Sequence, residues 1–154
     1  CHAQGFREFR EAATWAGDNL PAGSVVLNRK PRIFFLLGRT PGRVFPFTSD
    51  PAALLDEADR AGARYVLIDQ VDALATLYVP AAIEVRPLAF CYVGGWGAQG
   101  GGPSTNLFGI LPPDERRDGG AFADIGRCPD SYSADPAAPP REREGLRIPL
   151  LVGL

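Results

Sequence analysis

Several residues in this 154-residue chain are of types that can do chemistry, and their spacing decides which chemistry is open to them. Gly95-Trp96-Gly97-Ala98-Gln99-Gly100 matches G-x-G-x-x-G. A dinucleotide site needs a helix directly after that motif, because the helix N-terminus holds the pyrophosphate. Here Gly101, Gly102 and Pro103 follow and then a predicted strand, so the motif reads as a hairpin loop. Asp69 closes the apolar run Tyr65-Val66-Leu67-Ile68, where α/β enzymes place catalytic carboxylates. Asp69-Gln70-Val71-Asp72 also has the form of a helix cap with an acidic third position, and no base or nucleophile lies near it in sequence. The cap is the favoured reading. His2 is the single histidine, and one His with three scattered Cys makes no zinc spacing. A Ser-His-Asp triad would have to use His2, at a terminus that frays. The sequence therefore offers no catalytic residue, no metal site and no cofactor site.

The cysteines and arginines say more. Cys91 falls in a predicted strand and Cys128 in a loop-rich region just before Pro129. Joined, they would pin that region to the core, and closing such a loop stabilises by roughly 4 kcal/mol in the chain-entropy model. A disulfide implies an oxidising compartment such as the bacterial periplasm. Two reduced buried thiols in a cytosolic protein are the alternative. Cys1 stands where a bacterial lipoprotein carries its lipid after signal-peptide removal; a domain boundary falling at a Cys is the other reading. Arg29, Lys30, Arg32, Arg39 and Arg43 crowd together with no acidic residue until Asp50. On one edge of a sheet they would form a cationic rim suited to phosphate or anionic headgroups. A solvated face partnered by carboxylates elsewhere is the competing reading.

The elements that must position these residues can be read from periodicity. Phe6, Phe9, Ala13, Ala16 and Leu20 recur at helical spacing, and Pro21 ends that helix. Val25-Val26-Leu27 and Ile33-Phe34-Phe35-Leu36-Leu37 read as buried strands flanking an Arg29-Lys30-Pro31-Arg32 turn, and Tyr65 to Ile68 as a third strand. Between them Ser49 or Asp50 caps a second helix with Pro51 in its first position, Asp56 and Arg60 pair along it, and Gly62 stops it. Leu88 to Val93 and Asn106 to Leu111 read as further strands joined by a loop from Gly94 to Gly102. The expected fold is α/β: a small two- or three-layer domain over residues 1–111. It has a mixed, mainly parallel sheet of about five strands and two main helices. Residues 112–154 form a long Pro- and Gly-rich arm. Its apolar end, with Ile148, Leu150, Leu151 and Leu154, is either an edge strand docked on the domain or a peg for a partner. Trp96 in the glycine loop is a second candidate partner contact.

The totals narrow the class. A net charge of −2 argues against general nucleic-acid binding, and the hydrophobic fraction of 45% is ordinary for a globular protein. No apolar run approaches the ~18 to 20 residues that span a bilayer. Arg provides fifteen of the sixteen basic residues, which suggests a GC-rich bacterial genome. The chain carries no Met, which suggests processing in the cell or excision from a longer protein.

Trp15, the Asn19-Leu20-Pro21-Ala22-Gly23 step, Val25-Val26-Leu27, Arg29-Lys30-Pro31-Arg32 and Gly38-Arg39 form a recognisable series. Phe45-Pro46-Phe47 and Ala61-Gly62-Ala63-Arg64-Tyr65-Val66-Leu67-Ile68-Asp69 continue it. The series resembles the soluble extracytoplasmic C-terminal domain of bacterial integral-membrane glycosyltransferases of the GT-C superfamily. Those enzymes are similar to protein mannosyltransferases and use polyprenyl-phosphate sugar donors. The resemblance covers about Phe6 to Val93 and implies a domain on the periplasmic face of a membrane. In that family the catalytic carboxylate and donor site belong to the membrane portion, to which nothing here corresponds, so no catalytic residue carries over. The expected function is a non-catalytic extracytoplasmic interaction module. It would be an accessory subunit of a membrane protein assembly, such as a respiratory or photosynthetic complex, with a membrane protein as partner. The alternative is the excised soluble domain of such a glycosyltransferase.

Overall fold

A computed structural model describes residues 5–71, 77–97, 104–135 and 137. Cys1, residues 98–103 and the C-terminal residues that include Ile148, Leu150, Leu151 and Leu154 lie outside the described residues.

The first helix, α1 (Phe6–Asn19), follows Gly5 in the left-handed region and buries Phe9, Ala12, Ala13 and Ala16 on one side. A short strand, β1 (Val26–Leu27), leads into α2 (Pro31–Gly38) and then β2 (Gly42–Arg43). Here the structure corrects the expectation of a second buried strand, because the run from Ile33 to Leu37 is helical. The physical reason lies in the topology. β1 and β2 pair in parallel, with Val26 opposite Gly42 and Leu27 opposite Arg43. Parallel neighbours need a crossover of about a dozen residues, usually helical. Pro31 at the first helical position is the local signal, and a five-residue apolar run does not by itself distinguish strand from helix.

The second expected helix stands as α3 (Pro51–Ala61). The Asp50 carboxylate accepts a hydrogen bond from the Ala52 N–H at 3.0 Å, and Gly62 ends the helix in the left-handed region at φ 68°. Arg60 pairs with Glu57 at 2.9 Å, one turn back, rather than with Asp56. Next come β3 (Tyr65–Ile68), α4 (Val79–Val85), and the hairpin of β4 (Phe90–Gly97) and β5 (Ser104–Ile110). The glycines from Gly94 to Gly97 belong to β4, not to a loop. They are small because other groups approach closely: a Cβ on Gly95 would collide with the Tyr92 hydroxyl, and one on Gly94 with the Ala137 side chain.

The sheet order is β2-β1-β3-β5-β4. β2, β1 and β3 run parallel, and β5 and β4 are antiparallel additions. Alternation along the strands builds two cores. Val26, Tyr65, Leu67, Cys91, Val93 and Leu107 meet α1 and α2 through Phe9, Ala13 and Phe34. Leu27, Val66, Ile68, Phe90, Tyr92 and Phe108 meet α3 and α4 through Leu54, Leu55, Ala58, Ala82 and Ile83. The domain is therefore a three-layer α/β sandwich. The α1–α2 contact is backbone on backbone. A Cβ on Gly17 would run into the Gly38 carbonyl oxygen, and one on Gly38 into that of Ala13.

Beyond β5 the chain returns along the β4 edge. The Tyr92 N–H donates to the Gly126 carbonyl at 2.8 Å and the Cys128 N–H to that of Tyr92 at 3.0 Å. Ile125 is buried in one core and Tyr132 in the other.

Candidate functional site

The helix that follows β1, α2, packs on one face of the sheet and the helix that follows β3, α4, on the other, so the connections leaving these two adjacent parallel strands part at their carboxyl ends. In open α/β sheets this switch point is where ligands bind. Two polar side chains occupy it, Asn28 after β1 and Asp69 after β3, both 0% exposed. Asn28 is spent on its own turn: its Nδ2 donates to the Val26 carbonyl and its Oδ1 accepts from the Lys30 N–H at 2.9 Å. Asp69 Oδ1 accepts from the Val71 N–H at 2.8 Å, the local turn a capping aspartate makes. Among the described residues, no three His, Cys, Asp or Glu side chains gather where they could hold a metal ion.

The cationic residues surround this point and extend beyond it. Arg29, Lys30 and Arg32 follow the carboxyl end of β1, and Arg43 ends the neighbouring β2. The Arg29 guanidinium lies over the Phe47 ring at 5.2 Å, and Phe47 stacks on Tyr78. Arg39 sits at the other end of α2, in the left-handed region at φ 67°, with its guanidinium 5.7 Å from the Phe35 ring centre. The rim thus follows the flank formed by α2 and β2, rather than one end of the sheet. Along the outer side of α2, Arg32, Phe35, Leu36 and Arg39 are all exposed, at the i, i+3, i+4, i+7 spacing of a single stripe.

The remaining candidates are structural in their surroundings. Cys91 and Cys128 are joined in a disulfide with Cα atoms 4.8 Å apart, over Gly109, where a Cβ would stand 2.6 Å from Cys91 Sγ. Trp96 is half-buried and its ring lies 5.5 Å from that of Trp15 on α1. Gly95 and Gly97 of the G-x-G-x-x-G motif are strand residues, and the next described element is β5.

At the opposite, amino end of β1 and β3 a cleft of about 330 Å³ is lined by Pro21–Ser24, Gly62, Arg64, Tyr65, Ser131 and Tyr132. The Tyr65 hydroxyl donates to the Tyr132 carbonyl at 2.6 Å, and the Tyr132 hydroxyl to the Ile110 carbonyl at 2.9 Å. Burial pushes both hydroxyl pKa values above the ordinary tyrosine value, so both stay protonated at neutral pH and serve as fixed donors. Sequence reasoning passed over this pair. Its partners are carbonyls distant along the chain, and no spacing encodes them.

No protein-family model matches the chain, and no curated protein and no solved structure matches it.

Proposed function

We propose that this chain is a non-catalytic extracytoplasmic module that works against a membrane-embedded partner. The observation that carries this reading is the Cys91–Cys128 disulfide, which holds the returning chain to β4 and belongs to an oxidising compartment. It is supported by the switch point, where the Asn28 and Asp69 side chains each accept a hydrogen bond from a backbone N–H of their own turn. As an accessory subunit, the chain contributes surface to an assembly rather than a reaction. Thiol labelling of material from its native source, with and without reductant, tests the compartment: Cys91 and Cys128 label only after reduction. Labelling of both without reductant overturns the reading.

A second reading is favoured by where the resembling residues fall. Trp15 to Asp69 build α1, the parallel strands and the helices between them as one continuous half of the fold. On that basis the chain is the soluble domain of a polyprenyl-phosphate-sugar-dependent membrane glycosyltransferase, and its membrane partner belongs to the same polypeptide. The reading frame upstream of Cys1 separates the two. Many membrane spans support the transferase domain, and a short signal sequence supports the subunit.

A further inference from the structure

The outer flank of the fold, formed by α2, β2 and the segment after it, leaves a series of large apolar side chains exposed. Ile33, Phe35, Leu36, Val44 and Phe47 are all exposed, Leu36 at 67%. They account for most of the large apolar side chains exposed among the described residues, and they lie within one short stretch. Between Asp18 and Asp50 the sequence has five cations and no carboxylate. The cations bracket the apolar residues: Arg32 and Arg39 stand at either end of the Phe35–Leu36 crest, about 10 Å apart along the helix axis. Of the three carboxylates of α1, Glu8 and Glu11 both pair with Arg7.

The geometry points to this flank as a docking surface for an anionic lipid bilayer, with Phe35 and Leu36 inserted among the headgroups and the basic residues on lipid phosphates. This rests on the membrane-facing reading above. Charge complementarity selects the occupant. A second copy meeting this face about a two-fold axis would set the same cations against themselves. The apolar tail of the chain brings Arg141, Arg143 and Arg147 against two glutamates, so it too adds positive charge. The surface is a convex helical crest rather than a groove, which suits a deformable headgroup layer. Basic residues flanking exposed aromatic and aliphatic ones are how surface-seated helices hold an anionic interface.

The test is sedimentation of the oxidised full chain with vesicles of phosphatidylcholine alone or with one-third phosphatidylglycerol. Binding is expected only with phosphatidylglycerol and should fall steeply in 0.5 M salt. Arg32→Gln and Arg43→Gln should each weaken partition about fivefold. Leu36→Ser with Phe35→Ser should abolish it, while Phe122→Ser, an exposed aromatic on the α4 side, should leave it unchanged. Thermal melting of each variant shows that it is folded; because Leu36 is exposed, Leu36→Ser alone serves if the pair is not. Equal binding to both vesicles, no binding, or binding indifferent to the α2 variants overturns the proposal. So does a dimer in light scattering that Leu36→Ser dissociates, or binding to native membranes that is lost when their proteins are digested. Failure here leaves the disulfide and the compartment reading intact. Free thiols in native material would remove that reading without changing the vesicle result.

Discussion

The two edges of the sheet use similar residues in opposite ways. At the β4 edge, Cys91 and Tyr92 are covered by chain that returns from Ile125 to Tyr132, and the aromatic and sulfur side chains there turn inward. At the β2 edge, Phe35, Leu36, Val44 and Phe47 turn outward beside arginines. One edge commits its apolar residues to holding the domain together. The other leaves apolar residues exposed at the surface. The docking surface proposed above therefore lies where substitution should cost the least stability.

Mutation can break the comparison from either side. The largest effect is expected from replacing Cys91 and Cys128 together by Ser. Opening the loop between them, a sequence separation of 37, should lower the unfolding free energy by about 4 kcal/mol in urea titration. A loss below about 1 kcal/mol would mean that the returning chain is held by its other contacts. Next, Gly17→Ala should destabilise by about 1–3 kcal/mol, because its Cβ meets the Gly38 carbonyl oxygen. Alanine in a helix interior ordinarily gains about 1 kcal/mol over glycine, so the sign of the change is the measurement.

Tyr132→Phe leaves the buried Ile110 carbonyl without its donor and should cost about 1–2 kcal/mol by thermal or chemical melting. The same pair predicts a pH dependence. Burial raises the folded pKa of Tyr65 and Tyr132, so above the ordinary tyrosine value near ~10 the unfolded chain loses these protons before the folded chain does. Their contribution is fully present below that pH and is lost as pH rises through the raised folded values. Urea midpoints that do not fall in this alkaline window would contradict the assignment, and Tyr132→Phe should flatten the fall. Arg116→Ala removes a two-pronged contact to Asp59, at 2.6 and 3.0 Å, and should cost about 1 kcal/mol. The smallest effect belongs to the other edge. Leu36→Ser should change stability by no more than about 0.5 kcal/mol. A larger loss would return Leu36 to the core and remove the contrast between the edges.

Much of this architecture was legible in the sequence where local rules decide it. Asp50, Pro51 and Gly62 marked the ends of α3, and the apolar, partly β-branched run from Tyr65 to Ile68, directly after that stop, read correctly as a strand buried on both faces. Ile33 to Leu37 was misread because burial was inferred from composition. Nothing local records that the chain must cross over between two parallel strands, and that requirement makes the segment helical. The cysteine pairing was open to argument because two residues had one plausible joint role. The exposed stripe of α2 could not be seen until the segment was known to be a helix, since a strand would have alternated Phe35 and Leu36 to opposite faces. The tyrosine pair and the Arg116–Asp59 contact join positions far apart in sequence, which no spacing announces.

The single bridge that the returning chain makes with β4 at Tyr92 has a further consequence. β4 is the last strand of the sheet, eight residues long and rich in glycine, and bare strands of this kind pair readily with copies of themselves. The opposite edge is protected by brevity, since β2 has two residues and follows Pro41. β4 is long, with an irregularity between Tyr92 and Gly94 as its own interruption, and the disulfide keeps its cover in place. Reduction should therefore promote aggregation along β4 before it unfolds the domain, which makes the bond a safeguard of solubility as well as of stability.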